Sequence, residues 1–212
     1  MWNEKGRTDH IADQYGFDLF YSEYDAAIRE MSTKIEILAK EFEVRHDYSP
    51  IHHVEKRLKT PDSIDEKLKR LGLPITIQDA RENLFDIAGL RIICNFVDDV
   101  YQVAGLLTSQ DDINVIAEKD YIKNPKENGY RSLHYRLSVP VFFSEYKVVV
   151  PCEVQIRTVA MDFWASLEHN LRYKQDNDGK MSDQINMELK ACAEVSANLD
   201  RRMQKIFDEV KK

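Results

Sequence analysis

The sequence predicts an α+β domain in which helices cover a sheet, and three observations carry this prediction. Apolar residues from Phe20 to Phe42 recur at three- and four-residue steps, the spacing of an amphipathic helix. Residues 87–96 are almost continuously apolar, as expected for a strand buried on both faces. The 212 residues are 43% hydrophobic and 32% charged, a composition ordinary for one globular domain.

The N-terminal part is predicted to be helical. Residues 47–50 (Asp-Tyr-Ser-Pro) end the first helix, and a second follows immediately. Thr60 is a good N-cap and Pro61 suits the first helical turn, so a third helix begins there. Residues 72–74 (Gly-Leu-Pro) end it. The four predicted helices cover about residues 20–42, 51–59, 60–71 and 77–84.

The middle of the chain is predicted to alternate strands with helices. The segment 123–129 carries the turn signals Asn-Pro and Asn-Gly between two strand-like runs. Four strands are expected at about residues 87–96, 113–122, 130–139 and 147–157, and helices at about 98–107 and 159–173.

The last helix carries an apolar seam. It follows a polar break at residues 175–179, and its apolar steps alternate four and three residues, interrupted only by Ser196. Packing onto its own domain is the commoner explanation of such a seam, and self-association through this helix and the first is the alternative. The seam consists of Ile185, Leu189, Cys192, Ser196, Leu199, Met203, Ile206 and Val210.

Charge is distributed unevenly. The formal net charge of −7 argues against a dedicated nucleic-acid binder, yet residues 56–70 and 119–136 are rich in Lys and Arg. These segments indicate a pocket for a small polyanion, or else solvated loops. No apolar run approaches the length of a membrane span, no secretory signal is visible, and three scattered cysteines do not form a zinc pattern. We therefore expect a cytoplasmic protein.

Two strands carry polar groups that suggest chemistry. Glu153, Gln155 and Arg157 share one face of their strand, since side chains alternate. They can hold a metal, a base edge and a phosphate, although a half-solvated sheet face would look the same. Asp86 precedes the most apolar strand and needs a partner there. A Mg²⁺ shared with Glu153 would supply one; a turn cap or an arginine is the alternative. Arg91 can stack on a base.

A phosphate cradle is indicated near the helix that begins at Thr60. Lys59 lies beside its N-terminus, where free N–H groups favour an anion. Ser63 and Lys67 lie one turn apart on this helix. No Walker A or Gly-x-Gly-x-x-Gly pattern occurs in the sequence.

Tyr130 and His134 are predicted on one strand face. There they can stack on a base and contact a phosphate, although cross-strand packing explains them equally well. Lys123 and Lys126 in the preceding loop can reach an anion.

On the helix after residue 158, Asp162 and His169 share a face. Asp162 can accept hydrogen bonds from a base edge, whereas a structural role is the commoner explanation for His169. Phe163, Trp164 and Leu167 can face the core.

Several motifs occur together and in order: Asp86-Ile-Ala-Gly-Leu-Arg91, Gly129-Tyr-Arg-Ser-Leu-His134, Glu153-Val-Gln-Ile-Arg-Thr158, Ala160-Met-Asp-Phe-Trp-Ala165 and Glu168-His169. They closely resemble the RelA/SpoT-type (p)ppGpp synthetase domain over residues 49–174. The resemblance implies a nucleotidyltransferase-like fold with a mixed, mostly antiparallel sheet of about five strands. With residues 1–48 as a helical extension and 175–212 as an oligomerisation helix, the chain resembles a stand-alone small alarmone synthetase without a hydrolase domain.

The resemblance implies transfer of the β,γ-pyrophosphate of ATP to the 3′-hydroxyl of GDP or GTP, giving AMP and ppGpp or pppGpp in the stringent response. By motif, ATP is bound by Arg57 and Arg91 around adenine and by Lys59, Ser63 and Lys67 at the phosphates. Mg²⁺ is bound by Asp86 and Glu153, and Glu153 activates the hydroxyl. GDP or GTP is bound by Lys126, Tyr130, Arg131, His134, Gln155, Asp162 and His169. Family members often carry Asn at the position of Asp162, and small members are commonly homotetramers.

Two rival functions fit the same residues. A related pyrophosphokinase would use another acceptor, such as GMP, an adenine nucleotide or a tRNA 3′ end. A regulatory nucleotide- or RNA-binding module on the same fold would lack catalysis. The presence of both predicted metal carboxylates, Asp86 and Glu153, favours an enzyme.

Overall fold

One five-stranded sheet organises the computed structural model, which describes residues 4–175 and 182–211, with side chains described for 16–172 and 182–211. The strand order is β1-β2-β5-β4-β3, and only β2 and β5 pair in parallel. The predicted α+β class with a mixed, mostly antiparallel sheet is confirmed. The elements are α1 Glu4–His46, β1 Ile51–Leu58, α2 Pro61–Leu71, α3 Ile77–Asn83, β2 Ala88–Cys94, α4 Val97–Thr108, β3 Asn114–Asp120, β4 Leu133–Phe142, β5 Lys147–Thr158, α5 Val159–Gln175 and α6 Asp183–Val210.

The predicted helix over residues 51–59 is wrong, because this segment is the edge strand β1. It pairs antiparallel with β2, with Glu55 opposite Arg91 and Arg57 opposite Gly89. Most of its side chains are exposed, so the apolar–polar alternation of a half-buried strand is missing. Its Glu, Lys, Arg and Leu residues also favour helices. Pairing with β2 outweighs that local preference.

The core lies between the sheet and the first helix. Phe20, Tyr24, Met31 and Ile35 on α1 are each at most 1% exposed, which confirms the predicted apolar face. On the sheet, alternate residues of β4 from Leu133 onward are buried. The opposite sheet face is left for polar side chains.

Helix α2 begins and ends as predicted. The Thr60 hydroxyl accepts a hydrogen bond from the Ser63 backbone N–H at 3.4 Å. Gly72 has φ of 71° and donates to the last carbonyls of the helix, a common C-terminal cap. Lys59, just before this helix, and Lys67, within it, both contact Asp86.

Most of the seam of α6 does not pack onto its own domain. Helix α6 instead buries Ala193, Ala197 and Asp200 against the body. Of the eight seam residues, Leu189 and Ser196 are half-buried. The other six are exposed: Ile185, Cys192, Leu199, Met203, Ile206 and Val210.

Helix α5 departs from its prediction on one side. Trp164 is buried as predicted, but Phe163 and Leu167 are 66% and 47% exposed instead of facing the core. The predicted polar break at residues 175–179 lies outside the described residues beyond Gln175. Within the described ranges, no helix is both long and apolar enough to cross a membrane.

Candidate active site

Polar side chains form two rows across the open face of the sheet. Paired residues on adjacent strands point to the same side, so the strand register determines both rows. The first row runs Glu55, Arg91, Gln155, His134 and Lys119, and the second runs Arg57, Gly89, Glu153, Arg136 and Ala117. Gly89 has no side chain, and it therefore leaves the sheet floor open between Arg57 and Glu153.

A cleft of about 880 Å³ lies over these rows, with α5 and the 121–130 loop as its walls. This volume falls in the range of sites for small organic ligands. The charge of the cleft is opposite to that of the whole chain. Its two carboxylates, Glu153 and Glu168, face seven cationic side chains: Arg57, Arg91, Lys119, Lys126, Arg136, Arg157 and Arg172. The cleft is therefore suited to a polyanion.

A second cavity of about 130 Å³ adjoins the cleft on the side of β1. Asp86 and Glu55 line this smaller cavity. Four residues line both spaces: Arg57, Arg91, Glu153 and Gln155. Glu153 thus stands where the two spaces join, and Asp86 and Glu153 face the same cavity.

Two lysines hold the carboxylate of Asp86. Lys67 Nζ lies 2.6 Å from Oδ1 and Lys59 Nζ lies 3.0 Å from Oδ2. Burial opposes ionisation of Asp86, but the hydrogen bonds from the two lysines outweigh it and lower the pKa of the carboxyl below its usual value. Asp86 is therefore an anion at neutral pH. Ser63 lies on the first turn of the same helix as Lys67, where its hydroxyl contacts Thr60 at 2.9 Å.

Tyr130 occupies the other end of the cleft. Its hydroxyl accepts a hydrogen bond from Arg157 Nη2 at 2.9 Å and lies 2.8 Å from Nε2 of His134. Burial, together with the charges of Arg157 and Lys126, lowers the pKa of His134 to about 3. His134 is therefore neutral at physiological pH.

The ring of Tyr130 is framed by cations. Lys126 Nζ lies 4.7 Å from the centre of the Tyr130 ring, within cation–π range. Burial raises the pKa of the Tyr130 phenol, so the ring stays neutral. Residues 130–132 precede β4, which begins at Leu133 rather than at Tyr130 as predicted.

Arg157 connects several of these groups. Its side chain is 3% exposed, and it donates to Tyr130, to Gln155 Oε1 and, at 3.4 Å, to Asp162. Gln155 in turn donates from Nε2 to Glu153 Oε2 at 3.3 Å. Arg157 therefore orients the polar row of β5 and also links β5 to α5.

Asp162 and His169 are placed differently. Asp162 lies 3.4 Å from Arg157 and 3.5 Å from Arg91, so it neutralises two arginines instead of lining the cleft. Arg91 also pairs with Glu55 at 2.7 Å. His169 is exposed and lines the cleft wall.

Like Asp162, Arg131 was predicted to bind GDP or GTP but does not line the cleft, and its side chain points away from it. Its terminal nitrogens contact Gly129 O at 3.0 Å, Ala193 O at 3.4 Å and Glu194 Oε1 at 2.8 Å. The position between Tyr130 and Ser132 makes this the expected direction, since neighbouring residues of an extended segment face opposite sides. A direct contact between Arg131 and the nucleotide is thus not supported by the geometry.

Several cleft residues were not predicted. Asn128 donates from Nδ2 to Glu168 Oε1 at 3.0 Å, and its own Oδ1 accepts from the Tyr130 backbone N–H at 3.2 Å. Glu168 is only 8% exposed and also pairs with Arg172. Asn128 was not predicted because the Asn-Gly pair was interpreted only as a turn signal. Glu168 and Arg172, four residues apart on α5, were a usable sequence signal, since a charged side chain that is buried requires a partner.

Comparison with known proteins gives a consistent result. The family model described as the region found in RelA / SpoT proteins matches residues 56–178. The GTP pyrophosphokinase YwaC of Bacillus subtilis is 44% identical over 187 residues, which cover 88% of each chain. The crystal structure of small alarmone synthetase 1 from Bacillus subtilis bound to its product pppGpp superposes with a TM-score of 0.83. It is 36% identical, and the match covers 93% of this chain and 99% of that one.

The matched region contains Asp86 and Glu153 and the whole sheet except residues 51–55 of β1. The likeness extends over nearly the full length of the small alarmone synthetase structures. The chain therefore belongs to the RelA/SpoT family, within its group of small alarmone synthetases.

Proposed function

We propose that this chain transfers the β,γ-pyrophosphate of ATP to the 3′-hydroxyl of GDP or GTP, giving AMP and ppGpp or pppGpp. The observation that carries the proposal is the position of Glu153. It lines both the cavity of Asp86, Arg57 and Arg91 and the larger cleft that contains Tyr130. A carboxylate at the junction of two adjoining spaces is well placed to act as a base for group transfer between two nucleotides.

The two sides of Glu153 differ in chemistry. On the side of β1, Arg57 and Arg91 offer flat guanidinium groups for adenine, and Lys59 and Lys67 gather at Asp86. On the other side, Tyr130 offers a neutral ring for guanine, flanked by Lys126. We therefore place ATP toward β1 and the acceptor nucleotide toward the 121–130 loop.

Glu153 is suited to accept the proton of the 3′-hydroxyl. Among the described residues its carboxylate accepts one side-chain hydrogen bond, from Gln155, so the other oxygen can reach a hydroxyl. The attacking oxygen forms its bond to the β-phosphorus of ATP as the bond to the α–β bridging oxygen breaks, and AMP leaves. Positioning and charge neutralisation supply most of the rate in such transfers.

The residues fit Mg²⁺. Asp86 is held as an anion and faces the same cavity as Glu153, and Mg²⁺ is commonly bound by one or two carboxylates together with substrate phosphates. No set of three or more His, Cys, Asp or Glu among the described residues forms a complete protein site, so substrate phosphate oxygens and water would complete the shell. When bound, the ion neutralises charge on the pyrophosphoryl group. Lys59 and Lys67, which pair with Asp86 here, would then also neutralise charge on the phosphates.

The test separates nucleotide products after incubation with ATP, Mg²⁺ and either GDP or GTP. We expect AMP and the 3′-pyrophosphorylated nucleotide in equal amounts, and loss of both in Asp86→Gly, in Glu153→Gln and after chelation by EDTA. Glu145→Gln is the matched control, since Glu145 is exposed and lines neither space. Full activity of either variant would sink the assignment. Product with GMP, ATP or tRNA instead would favour the rival acceptors, and nucleotide binding without product would favour a regulatory module.

We also propose that the chain forms homotetramers through terminal helices. The exposed seam of α6 supports this, together with the apolar groove that it forms with α5. Phe163, Leu199 and Met203 line that groove and are 66%, 53% and 44% exposed. Large exposed apolar patches of this kind commonly mark protein interfaces.

A further inference from the structure

The C-terminal helix holds the loop that carries Tyr130. Gly129 has φ of +91°, and a Cβ at this position would lie 2.6 Å from the Cβ of Ala193 on α6. The backbone of the loop therefore lies directly against the helix. Arg131 fastens this contact, because its guanidinium donates to the carbonyls of Gly129 and Ala193 and to the carboxylate of Glu194.

Helix α6 is itself fixed to the body close to the cleft. Thr158, the last residue of β5, donates to Asp200 at 2.6 Å. Trp164 Nε1 donates to the Leu189 carbonyl and Ser196 to the Ala160 carbonyl, each at 2.9 Å. Because three hydrogen bonds tie α6 to β5 and α5, the helix is a fixed support to which the loop is attached.

We propose that Arg131 is a positioning residue for the acceptor nucleotide. With Glu194 it clamps the Tyr130 loop onto α6 and so keeps the Tyr130 ring in the cleft. The inference rests on the proposed function for the identity of the nucleotide. The Arg131 side chain is 10% exposed and is absent from the cleft lining, and its contacts are with the loop backbone and α6.

The clamp and a direct phosphate contact predict opposite effects of one substitution. Glu194→Gln removes the ion pair and leaves the positive charge of Arg131 without a carboxylate partner. If Arg131 clamps the loop, GDP binds about threefold more weakly, the scale of a partly exposed ion pair. If Arg131 bound phosphate, releasing it from Glu194 would leave GDP affinity unchanged or increase it. Arg131→Ala weakens GDP binding in both cases, by about tenfold, so it is not diagnostic alone.

The experiment measures GDP and ATP-analogue affinities by titration calorimetry in the full chain. The analogue has a methylene group in place of the α–β bridging oxygen of ATP, so no transfer occurs. We expect weaker GDP binding in Glu194→Gln with unchanged analogue binding. In the double variant Arg131→Glu with Glu194→Arg, GDP binding recovers by about half relative to Arg131→Glu. Glu41→Gln is the control, because Glu41 forms an exposed ion pair with Arg45 on α1. Unchanged or tighter GDP binding in Glu194→Gln overturns the clamp.

A second readout does not depend on the reaction. Amide hydrogen exchange of residues 126–132 in the nucleotide-free protein is expected to be about threefold faster in Glu194→Gln than in the wild type, with unchanged exchange in β2. Equal exchange in the loop overturns the clamp even if the enzyme is active. Absence of pyrophosphorylated product from the wild type overturns the proposed function but leaves this measurement decisive for the clamp.

Discussion

Gly129→Ala should strongly destabilise the protein through two separable effects. The backbone at Gly129 has φ of +91°, and an L-residue there costs about 1–2 kcal/mol. The new methyl group would also lie 2.6 Å from the Cβ of Ala193, far inside normal contact, and overpacking of this kind costs about 1–3 kcal/mol. Together these effects predict a loss of about 2–5 kcal/mol in the free energy of unfolding.

The overlap can be separated from the backbone strain with a second substitution. Ala193→Gly alone should cost about 1 kcal/mol, since glycine is unfavourable inside a helix. In the double variant the overlap disappears while the strain at residue 129 stays. The double variant should therefore be more stable than the sum of the single losses by about 1–3 kcal/mol.

Urea unfolding followed by circular dichroism measures all four proteins at one protein concentration, because self-association would change apparent stability. Gly105→Ala, in the middle of α4, is a matched control, since no atom lies within 4 Å of its added Cβ. That variant should be neutral or stabilised. If the stability losses of Gly129→Ala and Ala193→Gly add up to the loss of the double variant within about 0.5 kcal/mol, close contact between the loop and α6 is refuted.

Two further predictions concern the cleft and the seam. The wild type should lose about 2 kcal/mol more stability than His134→Gln between pH 7 and pH 5, because the unfolded chain binds a proton near pH 6.5 whereas folded His134, with a pKa of about 3, does not. The free energy of unfolding is measured by urea unfolding at both pH values. If the wild type and His134→Gln lose the same amount between pH 7 and pH 5, the imidazole of His134 is not buried in its neutral form. Leu199→Glu should lower the mass measured by light scattering toward that of the monomer, whereas the neighbouring exposed substitution Asn198→Glu should not. A wild type of monomer mass would refute the tetramer.

The sequence predicted best where one local signal coincided with burial. The apolar run of residues 87–96 identified β2, and alternation in residues 133–139 identified the buried face of β4. The Thr60–Pro61 pair located the start of α2. In each case the local preference and the tertiary environment agree, which is the condition under which sequence patterns are informative.

The sequence predicted poorly where pairing partners determine the outcome. Nothing within residues 51–58 distinguishes an exposed edge strand from a polar helix, because the deciding hydrogen bonds come from β2. The same limitation applies to α6, whose heptad spacing is real but belongs to an exposed stripe. Small residues, Ala193 and Ala197, make the contact with the body, and alanines give no seam signal because they are equally common on exposed helix faces.

Arg131 shows why a motif identifies a site better than it assigns a role. The Gly-Tyr-Arg-Ser-Leu-His segment was correctly located beside the cleft, yet only two of its side chains, Tyr130 and His134, face it. Gly129 and Arg131 contact α6, a helix more than 50 residues later in the chain. A residue can therefore be essential to the motif because it attaches the binding loop to a support. Under the clamp proposed above, the helix with the exposed seam also positions Tyr130, and a change in what covers the seam should alter GDP affinity more than ATP affinity.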